Sequence, residues 1–242
     1  MSVYTQLSLT DIQRFAQQYN LDIVSCQPIQ SGIENSNYFV QNNDGREFVL
    51  TLFEELNAEE AAFLAPLLQH LQHAGVSVAA PLTASNGQCL LTLKGKPAQL
   101  ARRIAGTHPQ PVTVVQCTAM GKALATLHLA LKKYPLKRHS AHGLKWWQAE
   151  AKKARAKMTA IEQLLLDTVL DDFEETIEDF DDLPKGLIHG DLFRDNTLFD
   201  GDQLTAILDF SEAGKDYWLL DIAITVNDFC SDWPNVSLNT DL

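Results

Sequence analysis

The sequence has little cysteine, and its cysteines are scattered. The four residues Cys26, Cys89, Cys117 and Cys230 form no C-x-x-C pair and show no repeated spacing. Such a pattern offers neither the framework of a disulfide-rich secreted domain nor a cysteine zinc site. It is typical of a protein in a reducing compartment, and we therefore expect a cytoplasmic location.

Positive charge is also scarce, because 19 Lys and Arg stand against 31 Asp and Glu, for a formal net charge of -12. Nucleic acids and anionic membranes would repel such a surface, so neither is expected as a partner. No stretch approaches the ~18 apolar residues of a membrane span, and the first residues lack a basic and apolar leader. A small-molecule substrate is the expected partner, and the sequence leaves the oligomeric state open.

Two kinds of phosphate-binding loop are missing. No G-x-x-x-x-G-K-[ST] motif occurs, which argues against a P-loop ATPase. The Gly/Ser-rich phosphate loop of unrelated small-molecule kinases is missing as well. Any nucleotide chemistry must therefore use another set of residues.

The first part of the chain alternates between helical and strand patterns. Short apolar runs between Cys26 and Phe53, separated by turn residues, predict an antiparallel meander of three strands. A helix is predicted on each side of it, over Ser8 to Tyr19 and over Asn57 to Gly75, each beginning at capping-box spacing. A further strand is predicted over Gln88 to Leu93, which completes a small α+β lobe.

The rest of the chain has mainly helical patterns, beginning at Pro111 and resuming over Trp146 to Phe180. The predicted fold class is α+β: a bilobal, protein-kinase-like fold with a small antiparallel sheet lobe and a mainly helical lobe. Residues 1–97 are predicted to form the nucleotide-binding lobe and residues 98–242 the helical catalytic lobe. The stretch from Gly95 to Gly106 is predicted to join them.

Three polar residues near the ends of short apolar runs form a chemically meaningful pattern. Asp191 and Asn196 are five positions apart, and Asp209 follows the apolar run TAIL. Phosphoryl transfer from Mg-ATP needs a carboxylate that accepts the proton of a hydroxyl, and an amide and a second carboxylate that hold Mg²⁺. The spacing D-x-x-x-x-N equals that of the kinase catalytic loop, and Asp209 stands where the metal-binding Asp of D-F-G is expected.

The segments HGDLFRDN (His189 to Asn196) and ILDF (Ile207 to Phe210) resemble the phosphotransferase family of aminoglycoside and choline kinases. Together with FVLTLFEEL (Phe48 to Leu56) and DIAITVNDFCSDWP (Asp221 to Pro234), they resemble the kinase-fold homoserine kinases within it. The resemblance implies ATP-dependent phosphorylation of L-homoserine to O-phospho-L-homoserine, a step toward threonine, with ATP and Mg²⁺ as cofactors.

The resemblance also implies roles for single residues. Asp191 would be the catalytic base, Asn196 and Asp209 the Mg²⁺ ligands, and His189 a support of the loop. The turn above the ATP phosphates would contain Ser31, Gly32 and Asn37. This chain departs from the family at Thr51, where kinase-fold enzymes usually place a Lys or Arg that contacts phosphate.

Several alternatives stay open at this point. The enzyme could phosphorylate another small hydroxyl compound, an amino alcohol or an aminoglycoside, or the chain could be a non-catalytic nucleotide-binding module. Arg194 could bind a phosphate, the substrate carboxylate or a loop carboxylate. Asp195 and Asp228 are candidates for the substrate ammonium, and Asp221 is a helix cap or a buried partner of the catalytic loop.

The chain also looks shortened by several C-terminal helices in comparison with the family that it resembles. We therefore expect an exposed apolar face on the helix that begins near Asp221. The candidates for that face are Ile222, Ala223, Val226 and Phe229.

Overall fold

The computed structural model describes residues 5–30, 35–135, 138–140, 142–179, 182–232 and 237–242. The chain divides into two compact units. Unit 1 contains Met1–Gln110 and Thr197–Ser211, and unit 2 contains Pro111–Asn196 and Glu212–Leu242.

Unit 1 is built on a five-stranded antiparallel sheet with the strand order β1-β2-β3-β5-β4. Its strands are β1 (Ile23–Pro28), β2 (Asn35–Asn42), β3 (Glu47–Phe53), β4 (Leu91–Leu93) and β5 (Lys96–Arg102). The predicted meander of three strands is confirmed as β1, β2 and β3. Alternate residues of these strands, such as Tyr38, Leu50 and Leu100, are buried in one apolar cluster with helix α1 (Leu9–Ala16).

Strand β5 lies within the stretch that was predicted to join the lobes. It pairs with both β3 and β4, and its residues Ala98 and Leu100 are fully buried. The predicted boundary after Pro97 falls inside this strand, and unit 1 continues to Gln110. The flanking glycines suggest a linker, but a proline near the start of a strand is compatible with a sheet.

The helices of unit 1 are α1 (Leu9–Ala16), α2 (Ala58–Ala61) and α3 (Leu64–His73). Both predicted capping boxes are present, Ser8 with Asp11 and Asn57 with Glu60. The single helix predicted after Asn57 is divided into α2 and α3. Pro66 explains the break, because in a continuous helix its ring would clash with the carbonyl of Ala62.

A hairpin from the second half of the chain completes unit 1. It contains β7 (Thr197–Asp200) and β8 (Gln203–Ile207), joined by the predicted turn at Gly201. The backbone N–H of Ile207 donates to the Ser77 carbonyl at 2.7 Å, and Phe199 exchanges two hydrogen bonds with Thr107. These bonds explain why a segment that was predicted in the helical lobe packs with unit 1.

Unit 2 is mainly helical, as predicted. Its helices are α4 (Val114–Leu131), α5 (Leu144–Ala154), α6 (Ala160–Asp179) and α7 (Trp218–Phe229). Its strands are β6 (Lys185–Ile188) with β9 (Gly214–Tyr217), and β10 (Ser231–Asp232) with β11 (Ser237–Leu238). The expectation that no stretch approaches a membrane span is wrong for α4, which is long and apolar enough for one, although it buries Met120, Leu124 and Leu127 within unit 2.

Helices α5 and α6 pack against each other through aromatic side chains. The Trp147 ring lies edge-on against Phe173 at 4.8 Å between centroids, whereas Trp146 is 43% exposed and contacts His142. In α6, Asp171, Asp172, Glu174 and Glu175 face solvent, whereas Asp167 is half-buried and pairs with Arg155.

Helix α7 has the expected exposed apolar face, with one correction. Ile222 and Val226 are exposed by 42% and 39%, and Ala223 is exposed as well. Phe229 was wrongly predicted on this face, because it is only 2% exposed. Ile222 and Val226 line a groove of about 490 Å³ between α4 and α7.

Candidate active site

The loop after β6 folds back on itself so that Asp191 and Asn196 meet. The Asn196 Nδ2 amide donates to the Asp191 backbone carbonyl and to Asp191 Oδ2, at 2.8 Å each. Phe193 N–H donates to the Asp191 carbonyl, and Asn196 N–H donates to the Phe193 carbonyl, at 3.0 Å each. The loop therefore fixes the carboxylate, while the amide uses its nitrogen and keeps its oxygen as an acceptor.

His189 supports this loop from inside unit 2. Its side chain is fully buried, and its Nδ1 accepts the backbone N–H of Asp191 at 3.3 Å. These contacts agree with the expected role of His189 as a support of the loop. Gly190, the next residue, has φ +84°, and a Cβ there would lie 3.1 Å from the Glu212 carbonyl oxygen. Glycine is therefore required between the histidine and the aspartate.

Asp221 on α7 is the buried anchor of the loop. Its Oδ2 accepts the His189 N–H at 3.0 Å and lies 2.8 Å from His128 Nε2, and its Oδ1 accepts the Gly190 N–H at 3.0 Å. Burial opposes its ionisation, but His128 and the backbone donors outweigh that effect, so the pKa of Asp221 is lowered. Of the two roles considered for Asp221, the structure supports the buried partner of the loop.

His128 was missed in the sequence. It lies in α4, 93 positions before Asp221, is only 4% exposed, and stacks on the Trp218 ring at 5.0 Å between centroids. The only local signal was a histidine on the apolar face of a helix. Such a histidine is commonly a satisfied core residue, which is what the structure shows.

Arg194 and Asp228 form an ion pair beside the loop. Asp228 Oδ2 accepts the Arg194 backbone N–H at 2.6 Å and its Nε at 3.1 Å, and Oδ1 accepts Nη2 at 3.2 Å. The side chains are 25% and 14% exposed. The interpretation of Arg194 as a loop-fixing ion-pair partner thus agrees with the structure, which ties the loop to the last turn of α7.

Asp209 follows β8 in unit 1. Its backbone has φ +51°, a conformation that Asp adopts more readily than most residues. Its Oδ1 accepts the Ser211 N–H at 3.2 Å and the Ser211 hydroxyl at 2.6 Å, and the residue is exposed. Strained backbone of this kind is often found at functional sites. The carboxylate is thus held in place and accessible, as a metal ligand must be.

The predicted phosphate turn is described only in part. Ser31 and Gly32 lie outside the described residues. Asn37 lies on β2 directly opposite Thr51 of β3, which in turn is opposite Gln99 of β5. This row of the sheet is therefore uncharged where the family usually has a cation.

Unit 1 has a partly buried Lys–Glu ion pair, but it lies on the other face of the sheet. Lys96 contacts Glu54, whose side chain is 5% exposed and also accepts bonds from Thr5 and Ser36. The register places Lys96 in the alternate row from Gln99, so it does not substitute for a cation at Thr51. Glu60, on the helix that follows β3, completes the capping box of α2 with Asn57.

The donor set fits Mg²⁺ bound together with phosphate oxygens. In the described part of the chain, no group of three or more His, Cys, Asp and Glu side chains could hold a metal ion. One amide oxygen and one carboxylate, completed by phosphates and water, are however a usual Mg²⁺ environment. Asn196 of unit 2 carries such an amide oxygen, and Asp209 of unit 1 carries such a carboxylate.

Residues 25–239, which include Asp191, Asn196 and Asp209, match a family model described as the phosphotransferase enzyme family. The chain belongs to this family. Two relatives with similar sequences are both named homoserine kinase. That of Janthinobacterium sp. (strain Marseille) is 37% identical over 237 residues, covering 96% of this chain and 73% of the relative. That of Methylobacillus flagellatus is 40% identical over 231 residues, covering 95% and 72%.

Solved structures show that this phosphotransferase has a kinase-like fold. The amicoumacin kinase hAmiN, in complex with AMP-PNP, Ca²⁺ and Ami, matches with a TM-score of 0.74 at 17% identity. The match covers 96% of this chain and 71% of that chain. Spectinomycin phosphotransferase APH(9)-Ia, in complex with ADP and spectinomycin, matches with a TM-score of 0.69 at 15% identity, covering 91% and 74%. The predicted α+β, kinase-like fold class is confirmed.

Proposed function

We propose that this phosphotransferase transfers the γ-phosphoryl group of ATP to the hydroxyl of L-homoserine. The observation that carries the proposal is the identity of 37% and 40% with two proteins named homoserine kinase, over 96% and 95% of this chain. The product would be O-phospho-L-homoserine, an intermediate of threonine biosynthesis. The enzyme would act in the cytoplasm on a small-molecule substrate.

Asp191 is the proposed catalytic base. Its carboxylate is held by the Asn196 amide at 2.8 Å, so it is oriented before the substrate arrives. It would accept the proton of the homoserine hydroxyl as that oxygen attacks the γ-phosphorus of ATP. The bond between the γ-phosphorus and the β,γ-bridging oxygen breaks at the same time, and ADP leaves.

Asn196 and Asp209 are the proposed Mg²⁺ ligands, through the amide oxygen and the carboxylate. When bound, Mg²⁺ neutralises charge on the phosphates and so lowers the barrier to transfer. On the nucleotide side, the turn with Ser31, Gly32 and Asn37 is the proposed phosphate contact. With Thr51 in place of a cation, we expect backbone N–H groups and neutral side chains to make that contact.

The proposal is tested with a panel of acceptors and a coupled assay of ADP release. The panel contains L-homoserine, L-serine, L-threonine, an amino alcohol and an aminoglycoside. Homoserine should be the best substrate, because its hydroxyl lies one methylene farther from the head group than in serine. A misplacement of ~1 Å can cost on the order of 10²-fold in rate. A higher kcat/KM for serine or for an aminoglycoside would contradict the proposed substrate.

A further inference from the structure

We propose that Arg194 and Asp228 bind the α-carboxylate and the α-ammonium of the acceptor and so make the enzyme specific for amino acids. The inference rests on the proposed function and assigns the head group of its substrate to two residues. Both residues, together with Asp191, belong to unit 2, so the site lies within one compact part of the structure.

The position of the pair relative to the base supports this assignment. Arg194 follows Asp191 by three residues, a stretch of chain that can span at most about 11 Å. The loop is also closed, because Asn196 hydrogen-bonds the carbonyl and the carboxylate of Asp191. In homoserine, two methylene groups separate the hydroxyl oxygen from the α-carbon. A hydroxyl at Asp191 therefore leaves the head group within reach of the Arg194 side chain.

The charges of the pair complement those of the ligand. An α-amino acid carries a carboxylate and an ammonium on one carbon, and the ion pair presents a guanidinium and a carboxylate side by side. The planar fork of N–H donors on a guanidinium suits carboxylates, as its two bonds to Asp228 show. A carboxylate has about four acceptor sites, of which Arg194 uses three on Asp228.

Partial burial makes these charges effective in recognition. The side chains of Arg194 and Asp228 are 25% and 14% exposed, so they are partly shielded from water and still accessible. Charged hydrogen bonds gain strength in such an environment. Asp195, the other acidic residue of this turn, is exposed, and its charge would be screened by solvent.

The pair is also held rigidly with respect to the base. Asp228 accepts the backbone N–H of Arg194 at 2.6 Å, and the same helix contributes Asp221, which binds the N–H groups of His189 and Gly190. Helix α7 therefore fixes the loop on both sides of Asp191. A head group bound at Arg194 and Asp228 would have its hydroxyl placed by the same framework that places the base.

The test combines variants with substrates that lack one charge. 3-Aminopropan-1-ol is homoserine without the carboxylate, and 4-hydroxybutyrate is homoserine without the ammonium. For the wild type, kcat/KM should be at least about 10-fold lower with either compound than with homoserine. Arg194→Gln should lose about 10- to 100-fold with homoserine and 4-hydroxybutyrate but little with 3-aminopropan-1-ol. Asp228→Asn should show the opposite selectivity between the two analogues.

A matched control comes from a second Arg–Asp ion pair in unit 2. Arg155 contacts Asp167 with Nη1 3.0 Å from Oδ2, and Arg155→Gln should leave all three kcat/KM values unchanged. Arg194→Lys keeps the charge and loses the planar fork, so it tests the same point if Arg194→Gln does not fold. Circular dichroism establishes which variants are folded.

The results separate this inference from the proposed function. If Arg194→Gln or Arg194→Lys lowers kcat/KM by one common factor for all three substrates, the pair only supports the loop and the inference is wrong. If the wild type does not phosphorylate homoserine but phosphorylates another hydroxyl compound, the proposed function is wrong as well. Selective loss with the carboxylate-bearing substrates supports both.

Discussion

At the scale of single residues, the proposed catalytic and metal-binding side chains are held by residues that lie close to them in the sequence. The Asn196 amide binds Asp191, and Ser211 binds Asp209, over separations of five and two positions. Because such contacts depend on local spacing, the D-x-x-x-x-N pattern could point to Asp191 and Asn196 from the sequence. The contact of His128 with Asp221 spans 93 positions, and no local pattern predicts it.

Replacing Asp209 tests its role at the metal. Asp209→Ala should weaken Mg²⁺-dependent binding of ATP, because the variant lacks a carboxylate ligand, while the binding of metal-free nucleotide should change little. Calorimetric titration of ATP with and without Mg²⁺ measures both effects. Asp202→Ala, a change of an exposed residue in the same hairpin, is the control. An unchanged Mg²⁺ dependence would remove Asp209 from the metal site.

At the scale of secondary-structure elements, α7 connects the core of unit 2 to the catalytic loop. The sequence predicted this helix and both capping boxes of unit 1, since amphipathic periodicity and caps are local signals. It did not predict β9, the partner of β6, because Gly214–Tyr217 reads GKDY and has no apolar run. It also missed the break at Pro66, where the apolar stripe continues through the proline.

The link between α7 and the loop can be broken at Asp221. Asp221→Asn should destabilise the protein by about 3 to 5 kcal/mol. In the wild type, the Asp221 carboxylate binds the N–H groups of His189 and Gly190 and contacts His128, and in the variant an amide NH₂ would replace one of its two acceptor oxygens. Urea unfolding followed by circular dichroism measures the change. Asp172→Asn, on the solvent side of α6, is the control and should be nearly neutral. A loss below about 1 kcal/mol would mean that the loop does not depend on Asp221.

At the scale of the whole molecule, the division into units follows long-range pairing and not chain order. The hairpin of β7 and β8 belongs to unit 1 because Ile207 bonds to Ser77 and Phe199 to Thr107. Composition and periodicity indicated an α+β fold with two lobes, but they contain no information about such pairings. The proposed assignment of nucleotide binding and catalysis to the two lobes stays a prediction.

The pH dependence of stability should show the contribution of buried carboxylates in both units. The pKa of Asp221 is lowered, and so is that of Glu54, where Lys96, Ser36 and Thr5 outweigh the effect of burial. Each contributes stability above its unfolded pKa of about 4, which is lost as the pH falls through the folded pKa. Burial raises the pKa of Asp216, so that residue has the opposite effect.

The stability difference between wild type and Asp221→Asn isolates one of these groups. The difference in unfolding free energy should shrink below about pH 4, as the wild-type carboxylate becomes protonated. Urea titrations at several pH values measure it. A difference that grows toward low pH would show that the pKa of Asp221 is raised in the folded state.

The central claim is that this chain phosphorylates L-homoserine with ATP and that Asp191 is the catalytic base. It is tested most directly by observing the product. Phosphorus NMR of a mixture of ATP, Mg²⁺, L-homoserine and the protein should show a phosphomonoester that appears together with ADP. Asp191→Asn should slow its appearance by roughly 10² to 10⁴ with little change in ATP binding, whereas Asp200→Asn, at an exposed turn, should not. No phosphomonoester with the wild type, or equal rates with Asp191→Asn, would contradict the claim.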